Sequence, residues 1–210
     1  MKETGILFKP EMVRAILDGQ KTQTRRVVKH IPILGDSLRW CAAAQKQEPG
    51  WVKIVGDYRR FCHYGTPGSR LWVRETWAMP HGFYLAPASL NLMKEKGKIP
   101  VYRATDNPNS YSWRPSIHMP RWACRLVLEV TDVRVERVQD ITEDDAKSEG
   151  VTIHLDAVVA GFVAEESPAR MEFWSLWNSI HQKDGFNWDA NPWVWVITFK
   201  ILEDNKKGQS

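Results

Sequence analysis

Between Leu17 and Val27 the chain has no large apolar side chain; it runs through Asp18, Gly19, Gln20, Lys21, Thr22, Gln23, Thr24, Arg25 and Arg26. A stretch dense in cations and hydroxyls cannot be core on its own and needs a partner. What precedes it is amphipathic: Met12, Val13, Ile16 and Leu17 recur at helical spacing behind Pro10, which predicts a short helix over Pro10–Asp18. Gly19 supplies the left-handed residue that stops it. An extended segment from about Thr22 has a period of two, so Thr22, Thr24 and Arg26 share one face and Gln23, Arg25 and Val27 the other, with Lys21 in the turn that feeds it. Lys21 and Thr24 then meet only where a turn or bulge redirects one of them. A lysine beside a hydroxyl is a route to an oxygen nucleophile without histidine, because a desolvated lysine loses its proton readily and serves as base. The same residues also describe the solvated end of a basic strand.

At 210 residues and 43% hydrophobic content the chain suits one well-buried domain and is short for two. Residues 1–130 hold 21 Lys and Arg against 10 Asp and Glu, and residues 131–210 hold 8 against 15. That asymmetry predicts either a basic face suited to phosphates or two parts that neutralise each other within one fold. Cys41, Cys62 and Cys124 form no paired spacing, so reduced thiols are expected. With no apolar run long enough to span a bilayer, the expectation is a cytoplasmic protein with no membrane partner.

Ile6, Leu7 and Phe8 predict a first strand entering the core. Residues 30–69 lose all periodicity and read as an elaborated insertion, with one hairpin around Trp51–Val55 and Arg59–Cys62. Arg70–Trp77 reads as one strand with Leu71, Val73, Glu75 and Trp77 on one face. A face that runs Leu, Val, then Glu predicts that the strand leaves the interior beside a polar pocket, with Glu75 and Trp77 at its mouth; a terminal Glu paired with an Arg is the alternative. A second insertion covers 78–120 and holds a short strand at Val101–Ala104. Its end, Trp113 to Trp122, interleaves two indoles with Arg114 and Arg121, a combination able to stack bases and contact phosphates. Cys124, Leu126, Leu128 and Val130, then Val133, Val135 and Val138, predict a hairpin turning at Thr131–Asp132. Trp122 is in phase with the buried face and is expected to cap it.

Thr142 with acids behind it and Gly150 beyond predicts a short helix over Ile141–Glu149. Ser167–Pro168 opens another to Ile180, striped by Phe173, Leu176, Trp177 and Ile180, which read as core. Trp193–Leu202 is the last strand, and 204–210 reads as a disordered tail. There is no dinucleotide or phosphate-binding glycine loop, no nucleophile elbow and no zinc-deaminase pattern. The six histidines show no ligand spacing, so the expectation is no cofactor and metal-free chemistry.

The run Ile16 to Arg26 resembles the signature of the ASCH domain, a PUA-like small β-barrel family associated with RNA and modified nucleosides. One branch is the N4-acetylcytidine amidohydrolases, which use a Lys, Thr, Glu triad. The resemblance implies Lys21 as base, Thr24 as nucleophile and Glu149, at the end of the acidic helix Thr142–Glu149, as proton donor to the leaving amine. Arg26 or a backbone N–H would then stabilise the oxyanion. The stretches Leu71–Trp77, Arg114–Trp122 and Asn191–Trp195 look most like a longer phage- or prophage-associated ASCH subgroup, which departs from the compact enzymes by two large insertions. The implied fold is α+β: a PUA-like small mixed β-barrel with flanking helices, one domain over residues 1–203 with insertions near 30–69 and 78–120. Two functions follow from it. One is an amidohydrolase acting on N4-acylated cytidine or a related modified nucleoside or RNA. The other is a single-stranded RNA-binding module, with or without weak ribonuclease activity, using Arg25, Arg26, Glu75, Trp77, Trp113 and Trp122.

Overall fold

The structure is a computed structural model that describes residues 3–28, 59, 62–79, 100–106, 109, 111–152 and 168–204. The expected hairpin around Trp51–Val55, the tail after 204 and most of both insertions lie outside these residues.

The fold is α+β. Strands β1 (Glu3–Leu7), β2 (Gln23–Val27), β3 (Arg70–Arg74), β6 (Leu126–Arg137) and β7 (Trp193–Asp204) form one sheet in the order β1-β3-β6-β7-β2, and β4 (Trp77–Ala78) pairs with β5 (Val101–Tyr102). β1 runs parallel to β3, and the other pairs in the large sheet are antiparallel. The flanking helices are α1 (Pro10–Leu17), α2 (Glu143–Ser148) and α3 (Pro168–His181). α1 starts at its proline and is followed by Gly19 at φ 74°, a conformation that favours glycine. Among the described residues no helix is long and apolar enough to cross a membrane.

Two apolar layers sandwich the sheet. Ile6, Leu71, Val73, Leu128, Val133 and Ile197 pack with Val13 and Ile16 of α1 on one side. Val194 and Val196 pack with Ala146 of α2 and Phe173 and Trp177 of α3 on the other. The two edge strands, β1 and β2, come together beyond the ladder: Arg26 Nη2 donates to Leu7 O at 2.8 Å, and the Arg26 guanidinium lies 5.2 Å from the centre of the Phe8 ring. The sheet therefore curls until its free edges face one another.

Three local expectations are corrected. Thr131–Asp132 is no turn; β6 runs unbroken for 12 residues, with a bulge between Val130 and Asp132. The extra residue brings Val130 and Val133, three apart, into the same core, which plain alternation forbids. The strand expected to run from Arg70 to Trp77 breaks at Glu75 and Thr76, because the chain there leaves β3 to build the small β4–β5 pair.

Glu75 is not at a pocket mouth; the alternative, a glutamate paired with an arginine, is what the structure shows. It is buried in a two-pronged ion pair with Arg125, Nε to Oε1 and Nη2 to Oε2 both at 2.9 Å. The Arg125 guanidinium stacks 4.0 Å from the Tyr102 ring centre and donates to Thr105 Oγ1 at 3.0 Å. Trp77 is buried too, edge-on to Trp122 with ring centres 5.9 Å apart, within a small core that also holds Tyr102 and Met119. Removing one partner of a buried pair strands the other charge, at about 3–5 kcal/mol. Arg125→Ala should therefore lower the unfolding free energy by that order in urea titration, whereas Arg14→Ala, which loses the exposed pair with Glu11 and one long hydrogen bond to Ala104 O, should change it by less than about 1 kcal/mol.

Candidate functional site

The cationic stretch becomes β2, and its geometry follows from the neighbours it finds. Arg25 pairs with Val196 of β7, which pairs with Arg134 of β6, so Arg25 and Arg134 stand on one face three strands wide, beneath α2. Thr24 pairs with Ile197 on the opposite face. Just before β2 the backbone is tied to the end of α2: Thr22 N–H donates to Ser148 O at 2.9 Å, and Lys21 and Glu149 form a bridge. α2 is capped as its sequence predicts, with Asp145 N–H on Thr142 Oγ1 at 3.1 Å.

These ties bury Lys21 at 3% exposure and bring its Nζ to 2.8 Å from Glu149 Oε2 and 2.7 Å from Glu149 O. Glu149 Oε1 accepts from Arg25 Nη1 at 3.1 Å. Arg25 also donates to Glu136 Oε1 and to Asp145 Oδ2, and Arg134 reaches the same two carboxylates at 3.0 and 2.8 Å. Gln23 Nε2 adds bonds to Asp145 O and Oδ1. Lys21, Arg25 and Arg134 thus face Glu136, Asp145 and Glu149, a charge-balanced network across β2, β6 and α2.

Burial pushes the Lys21 amine below the usual lysine range; the Glu149 carboxylate acts in the opposite direction without cancelling it, and Arg26 and Arg25 push it further down. For Asp145, burial alone would raise the carboxyl, but the Gln23 hydrogen bond and the charges of Arg25 and Arg134 outweigh it and hold it below the usual range.

A cavity of about 290 Å³ opens in the seam between the sheet edges. Lys21, Thr24, Arg25, Arg26 and Glu149 line one wall. Leu7, Phe8 and Met12 line a second, and the α3 stripe forms a third. The seam lets residues from both faces of β2 reach one space, so Thr24 shares the cavity with Lys21 although no hydrogen bond joins them. Of the expected site residues, Lys21, Thr24, Glu149, Arg25 and Arg26 converge here. Glu75, Trp77, Trp113 and Trp122 do not line it: Trp113 is half-buried against Tyr111, and Trp122 packs on Trp77. Arg25 is held by three carboxylates rather than offered to a ligand. Phe173, Leu176, Trp177 and Ile180, read as core from their spacing, also line the cavity, and His181 joins them. Among the described residues no group of three His, Cys, Asp or Glu side chains is placed to hold a metal ion.

No family model matches the chain, and no curated protein does. Its fold is similar to an ASCH domain. That domain, from Lactobacillus crispatus JV V101, superposes with a TM-score of 0.41 at 12% identity, over 96% of this chain and 80% of the other. A DUF984 protein of Enterococcus faecalis V583 superposes with a TM-score of 0.42 at 8% identity, over 98% and 83%. Both likenesses are distant.

Gly150, directly after Glu149, has φ 75°, and a Cβ there would come within 2.7 Å of Lys21 Cβ and 2.8 Å of Ala15 Cβ. Only glycine lets α1, α2 and Lys21 close up. Gly150→Ala should destabilise the fold by more than about 1 kcal/mol and displace Lys21, seen as a lower thermal midpoint. The depressed Asp145 carboxyl stabilises the fold fully above its unfolded value, about 3.9, and that stabilisation is lost as pH falls through the lower folded value. Asp145→Asn should therefore be less stable at neutral pH and show a shallower loss of stability below about pH 4, measured by circular dichroism across an acid series.

Proposed function

We propose that this protein is an amidohydrolase that removes an acyl group from the N4 position of cytidine or a related modified nucleoside. The observation that carries the reading is a buried lysine of lowered pKa, held by a carboxylate, in the wall of a cavity that a threonine hydroxyl also lines. The cavity volume lies near the lower end of the roughly 300–1,000 Å³ of small-molecule sites and suits one nucleoside. Phe8, Phe173 and Trp177 offer aromatic surface for a planar base.

Neutral Lys21 takes the proton of Thr24 as its oxygen attacks the acyl carbon. Arg26, which lines the same cavity, supplies positive charge for the oxyanion. Collapse breaks the C–N4 bond, and the Lys21 ammonium returns the proton to the leaving nitrogen. Water then cleaves the threonine ester, again with Lys21 as base, releasing the carboxylic acid. Both oxygens of Glu149 already accept from Lys21 and Arg25, so in this scheme Glu149 holds the lysine in place and the amine's proton comes from Lys21. This replaces the donor role implied by the ASCH resemblance.

A nucleoside is favoured over a polynucleotide because Trp113 and Trp122, the indoles expected to stack on RNA, pack against Tyr111 and Trp77. Binding of an RNA oligonucleotide in a salt titration separates the two, since several phosphate contacts give a steep slope and a nucleoside site almost none.

Purified protein should convert N4-acetylcytidine to cytidine and acetate, followed by chromatography. Lys21→Ala should lower kcat/KM by about 10²–10⁴. Lys21→Arg should be equally poor, because a guanidinium cannot serve as base. In the wild type kcat/KM should rise with pH through an apparent pKa below the usual lysine value of about 10.4. Turnover unchanged in Lys21→Ala would exclude the mechanism.

A further inference from the structure

The wall that α3 gives to the cavity is made by residues 173, 176, 177, 180 and 181, one face of a helix, and His181 is its single titratable side chain. The only polar atom of Trp177, its indole N–H, is already donated to Phe186 O at 2.8 Å. His181 is differently disposed. Its ring stacks on Trp177 with centres 4.3 Å apart, and its Nδ1 is 2.8 Å from Asp184 Oδ2. Asp184 is in turn anchored by Phe186 N–H on its other oxygen at 3.1 Å. The ring is thus fixed in plane and rotation, and in the neutral imidazole the carboxylate holds the proton on Nδ1, leaving Nε2 as acceptor. Nε2 has no hydrogen-bond partner among the described residues.

The position along the helix says what such an acceptor reads. Phe173 lies at the ionic end, 5.6 Å from the Arg25 guanidinium. His181 is eight residues on, about 12 Å along the axis at 1.5 Å per residue. A substrate whose acyl carbon lies at Thr24 reaches that end with the group farthest from its amide. In an N4-acylated cytidine that group is the sugar.

Resting on the function proposed above, we infer that His181 is a specificity residue whose Nε2 accepts a hydrogen bond from a ribose hydroxyl. The site then distinguishes a nucleoside from the free base. Asp184 is a positioning residue that acts through His181.

His181→Phe keeps a ring on Trp177 and removes the acceptor, and the test compares N4-acetylcytidine with N4-acetylcytosine, which has no sugar. For the nucleoside, KM should rise about 2- to 10-fold, the worth of one neutral hydrogen bond, with kcat little changed. For the base neither should move. His181→Gln, which restores an acceptor, should recover part of the loss. Calorimetric titration of cytidine and cytosine into the wild type and His181→Phe reads the same difference without turnover. Equal effects on nucleoside and base, or none, would overturn this inference and leave the amidohydrolase reading intact. If the wild type binds neither cytidine nor cytosine and hydrolyses neither acetylated compound, both fall.

Discussion

The buried contact between Lys21 and Glu149 is the interaction on which the arrangement of this molecule depends. An ammonium taken out of water loses several kcal/mol of solvation, and an ion pair in a low-dielectric interior roughly offsets such a penalty rather than exceeding it. Its value lies in placement. Lys21 leaves α1 through Gly19, Glu149 closes α2, and Arg25 and Arg134 stand on strands that α2 must cover. Each carboxylate in the network answers to at least one cation from another element, so α2 can sit in one position only. Any sliding of the helix would leave a charge buried and unpaired, a far larger penalty than the loss of a few apolar contacts.

That same constraint decides where a ligand can enter. A sheet that ends in two free strands exposes unpaired backbone at both, and here β1 and β2 are turned toward each other instead. They are joined by a side chain, Arg26 to Leu7 O, and not by a ladder. The gap that remains has charge on one wall and aromatic carbon on the others. Such a space orients a molecule that has a reactive polar end and a flat apolar body.

Much of this was legible in the sequence, for identifiable reasons. The cationic stretch, the proline start and glycine stop of α1, and the threonine cap of α2 are local signals, read from spacing alone. The approach of Glu149 to Lys21 was legible only through a motif, since no periodicity links residues 128 positions apart. Glu75 was left between a pocket mouth and an ion pair because alternation tells which face a residue occupies and not what covers it; the Arg125 that neutralises it comes from just before β6, fifty positions later. Thr131–Asp132 resembled a turn because a bulge and a turn both interrupt alternation with small polar residues. The α3 stripe was correctly seen as apolar, but spacing cannot separate the part of a stripe that packs from the part that overlooks a hollow. His181 escaped notice because a lone histidine after a helical stripe has no pattern to betray it.

A lysine serving as base must be both fixed in place and easy to deprotonate, and these demands conflict. A carboxylate close enough to fix the ammonium also favours its charged form. Here burial and the neighbouring Arg26 and Arg25 work against Glu149, and burial dominates. A ligand that filled the cavity lined by Phe8, Phe173 and Trp177 would keep water away from the network and strengthen every charge interaction in it, the attraction to Glu149 and the repulsion from Arg25 and Arg26 alike. The same tie to Glu149 holds the end of α2 against the start of β2.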